Sequence, residues 1–314
     1  MQYLTLALDA SCDLPKAIYQ RFDLATLPLT WLAKPTELPP DNRSDATTEA
    51  WYQSLTNGTS HSLAEWSRKE LSRDTHLSQS LDNTWLLNSD GALIITPAKH
   101  HHPGYDHWNR QAATLQPQLD RVRHAANLHS HFRLRVMDSS HILAAYGLLV
   151  QEVAHLHRDQ GLSIDKLRLP MLAFSRRIKH LYSVPAFANP ALYPQTPAFP
   201  KLNGLRRFVM SHRGTLPVFQ TLDEQEELVG HATAADPITP VVDLACTALK
   251  QNRLNHATVN ASFAGEIEPL HQHPAIRRLH EMVSQQGGHL WLSQMSGSSA
   301  IHCGENAFSV AFVN

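Results

Sequence analysis

The chain of 314 residues has only three cysteines, Cys12, Cys246 and Cys303. They are odd in number and far apart, which excludes a disulfide framework and suits a reducing, cytoplasmic compartment. No apolar run approaches the roughly 20 residues that a bilayer-spanning helix requires, so no transmembrane segment is expected. The opening stretch to Pro15 has no basic region, and its apolar run Tyr3–Leu8 is too short for a signal peptide. In a cytoplasmic protein the sequons at Asn42, Asn57 and Asn260 are chance matches. Charge of one sign is also missing. Lys and Arg number 27 against 28 for Asp and Glu, with no basic block, so a nucleic-acid partner has no electrostatic footprint. The sequence contains no H-E-x-x-H, C-x-x-C, G-x-S-x-G, Walker P-loop or G-x-G-x-x-G. The commonest metal, hydrolase and nucleotide signatures are therefore absent.

What is present suits an ordinary globular protein, with 42% hydrophobic and 18% charged residues. The length favours two domains. Tyr3–Leu8 reads as a buried strand running into the polar turn Asp9–Pro15, and a helix follows Pro15 with Asp13 as its candidate cap. Leu27–Leu32 reads as a second strand, Pro35–Asp45 as a loop, Ala46–Leu55 as a helix and Thr56–Ser62 as a turn. Ala92–Thr96 is a third strand, residues 105–127 a helix and Phe132–Met137 a fourth strand. Ile142–His157 is a strongly apolar helix stopped by Gly161. This alternation predicts a parallel, Rossmann-like sheet with crossover helices over residues 1–160.

The second half, 161–314, has a different rhythm. Ile164–His180 reads as a helix, and Pro185–Pro200, with five prolines, breaks any regular element. Arg206–Ser211 and Pro217–Thr221 around H-R-G-T predict a β-hairpin. Pro237–Leu254 and Ala275–Gly287 read as helices; Ala257–Ala261, Leu290–Gln294 and Ala307–Val313 read as strands. The expectation is a mixed sheet flanked by helices.

Three polar turns follow first-domain strands: Asp9–Pro15, Pro97–Gly104 and Asp138–Ser140. In a parallel sheet the carboxyl ends of the strands share one edge, where ligands bind. Ser11, Ser139 and Ser140 would gather there, and Thr59 and Ser60 lie in a polar turn that could join them. Hydroxyls and loop N–H groups suit a carboxylate or phosphate without supplying a nucleophile or base. Ser and Thr also favour turns and caps for purely local reasons. His302 lies between Gly297 and Gly304 before the last apolar strand, in what reads as a loop able to present it at an interdomain cleft.

These turns resemble those of the DegV family of bacterial fatty-acid-binding proteins. The family's T-D-S-x-x-D-L-P turn is matched by L-D-A-S-C-D-L-P at 8–15, with Ala10 in place of a Ser. Leu27–Thr30 matches the P-L-x strand, and T-S-H-S at 59–62 stands for T-S-Q-P-S. V-M-D-S at 136–139 matches V-I-D-S before the long apolar helix, which carries G-L-L-V at 147–150. H-C-G-E-N-A-F-S-V-A-F at 302–312 stands for H-T-G-P-G-A-L-x-V-A-F. The chain departs from the family at P-A-K-H-H-H-P-G-Y, 97–105, where S-S-x-L-S-G-T-Y would bring a Ser to the carboxylate. It also lacks the R-K-G-G-R-I segment, having S-R-R-I-K-H at 175–180.

The resemblance implies a two-domain protein that holds a long-chain fatty acid, palmitate- or oleate-like, between its domains. It implies a carrier without activity of its own, whose bound carboxylate is presented to a fatty acid kinase subunit. Thr59, Ser60 and His302 match the family's head-group positions, Ser11 and Ser139 lie in matched turns, and His101 stands where the carboxylate-binding Ser is lost. No catalytic residue and no cofactor are implied.

Two other readings stay open: a descendant of the fold that has lost its ligand and keeps a regulatory or structural role, and a metal-binding protein. The 21 histidines include His100–His102, His107 and the pairs at 129/131, 155/157 and 271/273. Pairs spaced by two on a strand face one way and can share an ion. No ligand spacing converges, so no bound metal is expected. His302–Cys303, if extended, would point to opposite faces, a poor nucleophile–base pair.

Overall fold

The computed structural model describes residues 3–27, 41, 43–56, 88–101, 104–188 and 204–314. The elements run β1 (Leu4–Asp9), α1 (Lys16–Phe22), β2 (Leu24–Leu27), α2 (Asp45–Thr56), β3 (Gly91–Thr96), α3 (Gly104–Ala125), β4 (Arg133–Asp138) and α4 (Leu143–Arg158). They continue with α5 (Ile164–Ser175), β5 (Ile178–Ser183), a 3-10 turn at Pro185–Ala188, α6 (Gly204–Arg213), β6 (Thr215–Leu222), β7 (Gln225–Thr233) and α7 (Thr239–Gln251). The chain ends with β8 (Thr258–Phe263), α8 (Ile267–Leu270), α9 (Pro274–Gln285), β9 (His289–Gln294), α10 (Gly297–Cys303) and β10 (Phe308–Val313).

The strands form two sheets, ordered β2-β1-β3-β4 and β7-β6-β5-β10-β8-β9. Every pairing in the first is parallel. In the second, β8–β9 is parallel and the others are antiparallel. The two-domain α/β expectation, one parallel and one mixed sheet, therefore holds. β1 and β3 are buried along their whole length, as apolar strands covered on both faces must be.

Helix α4 explains its own hydrophobicity. Twelve of its sixteen residues are buried. It packs with β1 and β3 in one cluster that also takes in Ile178, Ala311 and Val313 of the second sheet. A helix enclosed on all sides is apolar all round. A Cβ at Gly147 would lie 2.1 Å from the Asp13 carbonyl oxygen, so only glycine allows α4 to come this close to the β1–α1 turn. Asn260 of β8 pins the same contact, its amide donating to the Asp13 and Ala144 carbonyls at 2.8 Å each. This Asn is fully buried. Gly161, at φ 72°, follows the helix as expected.

Three local expectations are corrected. The run 164–180 is not one helix: α5 stops at Ser175, and Ile178 starts β5, the residue pair Arg176–Arg177 turning the chain without a Gly or Pro to mark it. Arg206–Ser211 is not a strand but lies inside α6. Gly214, at φ 62°, follows that helix and is not the turn of a hairpin. The real hairpin pairs β6 with β7 around Asp223–Glu224, both at positive φ, the backbone that a tight two-residue turn demands. Asp13 does not cap α1, whose N-cap is Pro15 with no side-chain bond. The second strand is seen as Leu24–Leu27; residues 28–32 of the expected one lie outside the described residues.

Candidate functional site

The order β2-β1-β3-β4 places the topological switch between β1 and β3, because the chain leaves β1 toward one side and reaches β3 on the other. Loops following those two strands diverge and leave a crevice at their carboxyl ends. They are the Asp9–Pro15 turn and the segment from Pro97 to His101. The turn after β4 completes the edge.

Each turn is braced from within. The Ser11 N–H donates to Asp9 Oδ1 at 2.8 Å, and the Cys12 N–H to the Asp9 carbonyl at 3.1 Å. The Ser11 hydroxyl is buried and has no hydrogen-bond partner among the described residues. Ser139 is used differently: its hydroxyl donates to the His141 carbonyl at 3.0 Å and accepts the His141 N–H at 3.1 Å, so it holds its own turn. Ser140 sits at φ 60° with its N–H on Asp138 Oδ1. The same carboxylate oxygen accepts the Lys99 N–H, which ties the β3 and β4 loops together. Burial pushes the His141 imidazole down to about 4, and its Nε2 lies 3.0 Å from the Ser175 hydroxyl.

His101 is buried, and its Nε2 lies 3.1 Å from Glu226 Oε1 on β7. The Tyr182 hydroxyl of β5 donates to the same Glu226 oxygen at 2.6 Å. Burial alone would raise the Glu226 carboxyl; the bonds from His101 and Tyr182 outweigh it and hold the group below its usual range. The His100 ring lies tilted beside that of His101, ring centroids 4.2 Å apart. The loop after β3 thus puts an imidazole against a carboxylate of the other sheet.

Tyr182 also belongs to an apolar cluster with Trp51, Leu143, Phe219, Met295 and Cys303. His302 is half-buried beside that cluster, but in the last turn of α10 and not in a loop. The Gly297–Gly304 segment misled because its small residues look like loop. Ser296 instead caps a helix, its hydroxyl accepting from the Ser299 N–H at 3.0 Å. Thr59 and Ser60 lie outside the described residues. Ser11 and α10 are joined: the Ser299 hydroxyl donates to the Ser11 carbonyl at 3.4 Å.

Sequence reasoning missed a second contact across the sheets. Asp13 accepts the Ser296 N–H at 2.8 Å, and Asp41 accepts both the N–H and the hydroxyl of Ser298 at 3.0 Å. Arg43 lies 3.6 Å from Asp13 and donates to the Gln294 carbonyl at 3.0 Å. The two carboxylates fill the positive end of α10. Burial pushes the Asp13 carboxyl up to about 6, opposed by Arg43 and the Ser296 N–H. The signal for Asp13 was its place in the 8–15 block; for Asp41, Arg43 and Glu226 there was none. All three cysteines are buried free thiols.

No protein-family model matches the chain. A DegV domain-containing protein of Xanthomonas axonopodis pv. citri is 24% identical, the match covering 98% of this chain and 96% of that one. A stearic acid-binding protein of Eubacterium ventriosum has the same fold, with TM-score 0.69 and 15% identity over 99% of this chain and 98% of the other. The chain thus shares the fold of these proteins and, along its full length, is similar in sequence to DegV domain-containing proteins. A fatty acid kinase B3 protein of Streptococcus pneumoniae, loaded with linoleic acid, is similar over 99% of both chains, at TM-score 0.65 and 15% identity. Among the described residues no helix is long and apolar enough to cross a membrane.

Proposed function

We propose that this DegV-like protein binds a long-chain fatty acid between its two α/β units and carries it, without catalysing a reaction, to a kinase that phosphorylates the carboxylate. What supports the reading most is similarity along the full chain to proteins described as fatty-acid-bound, together with an apolar cluster that includes Cys303, next to His302, and Tyr182, linked through Glu226 to His101. The head group is assigned to Thr59, Ser60 and His302, with Ser11 and His101 nearby; Ser139 serves by shaping its turn. The units meet near residue 160, after α4.

The energetics favour the tail. At about 0.8 kcal/mol per buried methylene, roughly fourteen of them gain on the order of 10 kcal/mol before ordering costs. The head group mainly sets orientation, so losing the family's Ser in 97–105 does not abolish binding. An imidazole supplies a charge-assisted bond in its place. In an oleate titration of delipidated protein, Thr59→Ala and His302→Ala should each weaken binding by about 1–3 kcal/mol. Equal affinity in wild type and both variants would remove these residues from the site.

A further inference from the structure

We infer that His100, His101 and Glu226 form a binding site for a divalent zinc-type ion that bridges the two sheets. The inference shares His101 with the proposed head-group site but does not depend on fatty-acid binding. One ligand atom from each of the three residues lies within 4.8 Å of the others. The His101 Nε2–Glu226 Oε1 separation is 3.1 Å. Two ligands of a tetrahedral zinc ion, bound at about 2.0–2.1 Å, stand about 3.3 Å apart. That pair therefore already has the spacing of two ligands on one ion. His100 is exposed, with its ring 4.2 Å from that of His101, so it closes the site by turning inward and leaves an entry path from solvent.

The donor set is two imidazoles and one carboxylate. Magnesium and calcium favour all-oxygen sites; two nitrogens and one oxygen suit zinc and leave its fourth position open for water or an anion. The surroundings are built for a ligand carboxylate. The Tyr182 hydroxyl holds Glu226 Oε1 at 2.6 Å, and the His180 ring stacks on Tyr182 at 4.6 Å. Such outer partners fix the orientation of a metal ligand. His101 and Glu226 side chains are only 6% and 13% exposed, so the ligands are ordered before the ion arrives. Asp138 and Glu224 add negative field at His100. His100 and His101 follow β3 of the first sheet, whereas Glu226 belongs to an edge strand of the second. The ion would fasten the two sheets at the edge formed by the carboxyl ends of the first sheet's strands. Sequence spacing does not reveal this, because Glu226 lies more than a hundred residues from His100 and meets it only through packing of the two sheets.

The test uses untagged full-length protein, stripped with chelator and titrated with zinc chloride at neutral pH. About one zinc per chain should remain after gel filtration, and the melting temperature should rise. Cobalt(II) should give the visible absorption of a four-coordinate nitrogen and oxygen site. His100→Ala and Glu226→Gln should each weaken zinc binding at least tenfold and remove the cobalt spectrum. His100 is exposed and Gln keeps an acceptor for Tyr182, so both variants should fold; circular dichroism and melting of the zinc-free proteins check this. A double variant of the surface pair, His129→Ala with His131→Ala, should behave as wild type. No stoichiometric zinc in the wild type, or equal uptake by wild type and by His100→Ala and Glu226→Gln, would overturn the site.

Discussion

Asp13 and Glu226 each reach from one sheet's territory into the other's, and they do so in opposite environments. Asp13 is fully buried and accepts a backbone N–H at the start of α10, with Arg43 beside it. Its carboxyl is pushed up to about 6, because burial outweighs its partners. Glu226 is held below the usual carboxylate range, because its partners outweigh burial. The first contact sits in the block that matches the family, and the second in the loop that departs from it. A carboxylate walled in by protein N–H groups serves structure. A carboxylate facing two imidazoles near solvent has the chemistry to share an ion with them.

Removing Asp13 should have the largest effect. Asp13→Ala strips the Ser296 N–H of its acceptor and leaves Arg43 buried beside Asp41 alone. Breaking such a pair costs about 3–5 kcal/mol. Urea unfolding should show it as a large drop in midpoint, with Tyr182→Phe far milder.

The pH dependence sharpens the contrast next. The Asp13 carboxyl titrates near 6 when folded and near 3.8 when unfolded. The folded state holds the extra proton between those values. The Asp13 contribution is therefore fully present below about 4 and is lost as pH rises through about 6. Glu226 has the reverse sign: its contribution is present above the unfolded value near 4.5 and is lost as pH falls through its lowered folded value. The difference in unfolding free energy between wild type and Asp13→Asn, followed from pH 4 to 7, should fall by on the order of 2–3 kcal/mol. A flat difference would show that Asp13 is not a buried, strained carboxyl.

The smallest effect should come from Tyr182→Phe. It deletes one hydrogen bond to Glu226, worth about 0.5–1.5 kcal/mol, while the ring keeps its packing. Thermal melting would detect it as a modest shift. A loss as large as that of Asp13→Ala would make the two contacts alike.

Local pattern carried most of the fold. β1, β3 and α4 were visible because burial on all sides makes a continuous apolar run, and Gly161 marked the helix end. The errors came where one residue type serves two conformations. Gly214 has the signal of a hairpin turn but follows a helix, and the small residues of Gly297–Cys303 form a helix. The turn at Asp223–Glu224 has none of the usual glycine or asparagine signal. The site was less legible. His302 lies in a helix where a loop is expected, and the partners of Asp13 and His101 come from the other sheet. Distance in sequence conceals a contact that only packing creates.

Native mass spectrometry of the intact, untagged protein, purified without detergent, tests the carrier reading most directly. The account predicts a bound species of one long-chain fatty acid per chain, released on denaturation and restored by adding oleate or palmitate to delipidated protein. A bare chain, with no mass gain and no thermal shift on adding either acid, would contradict it and leave a DegV fold that has lost its ligand.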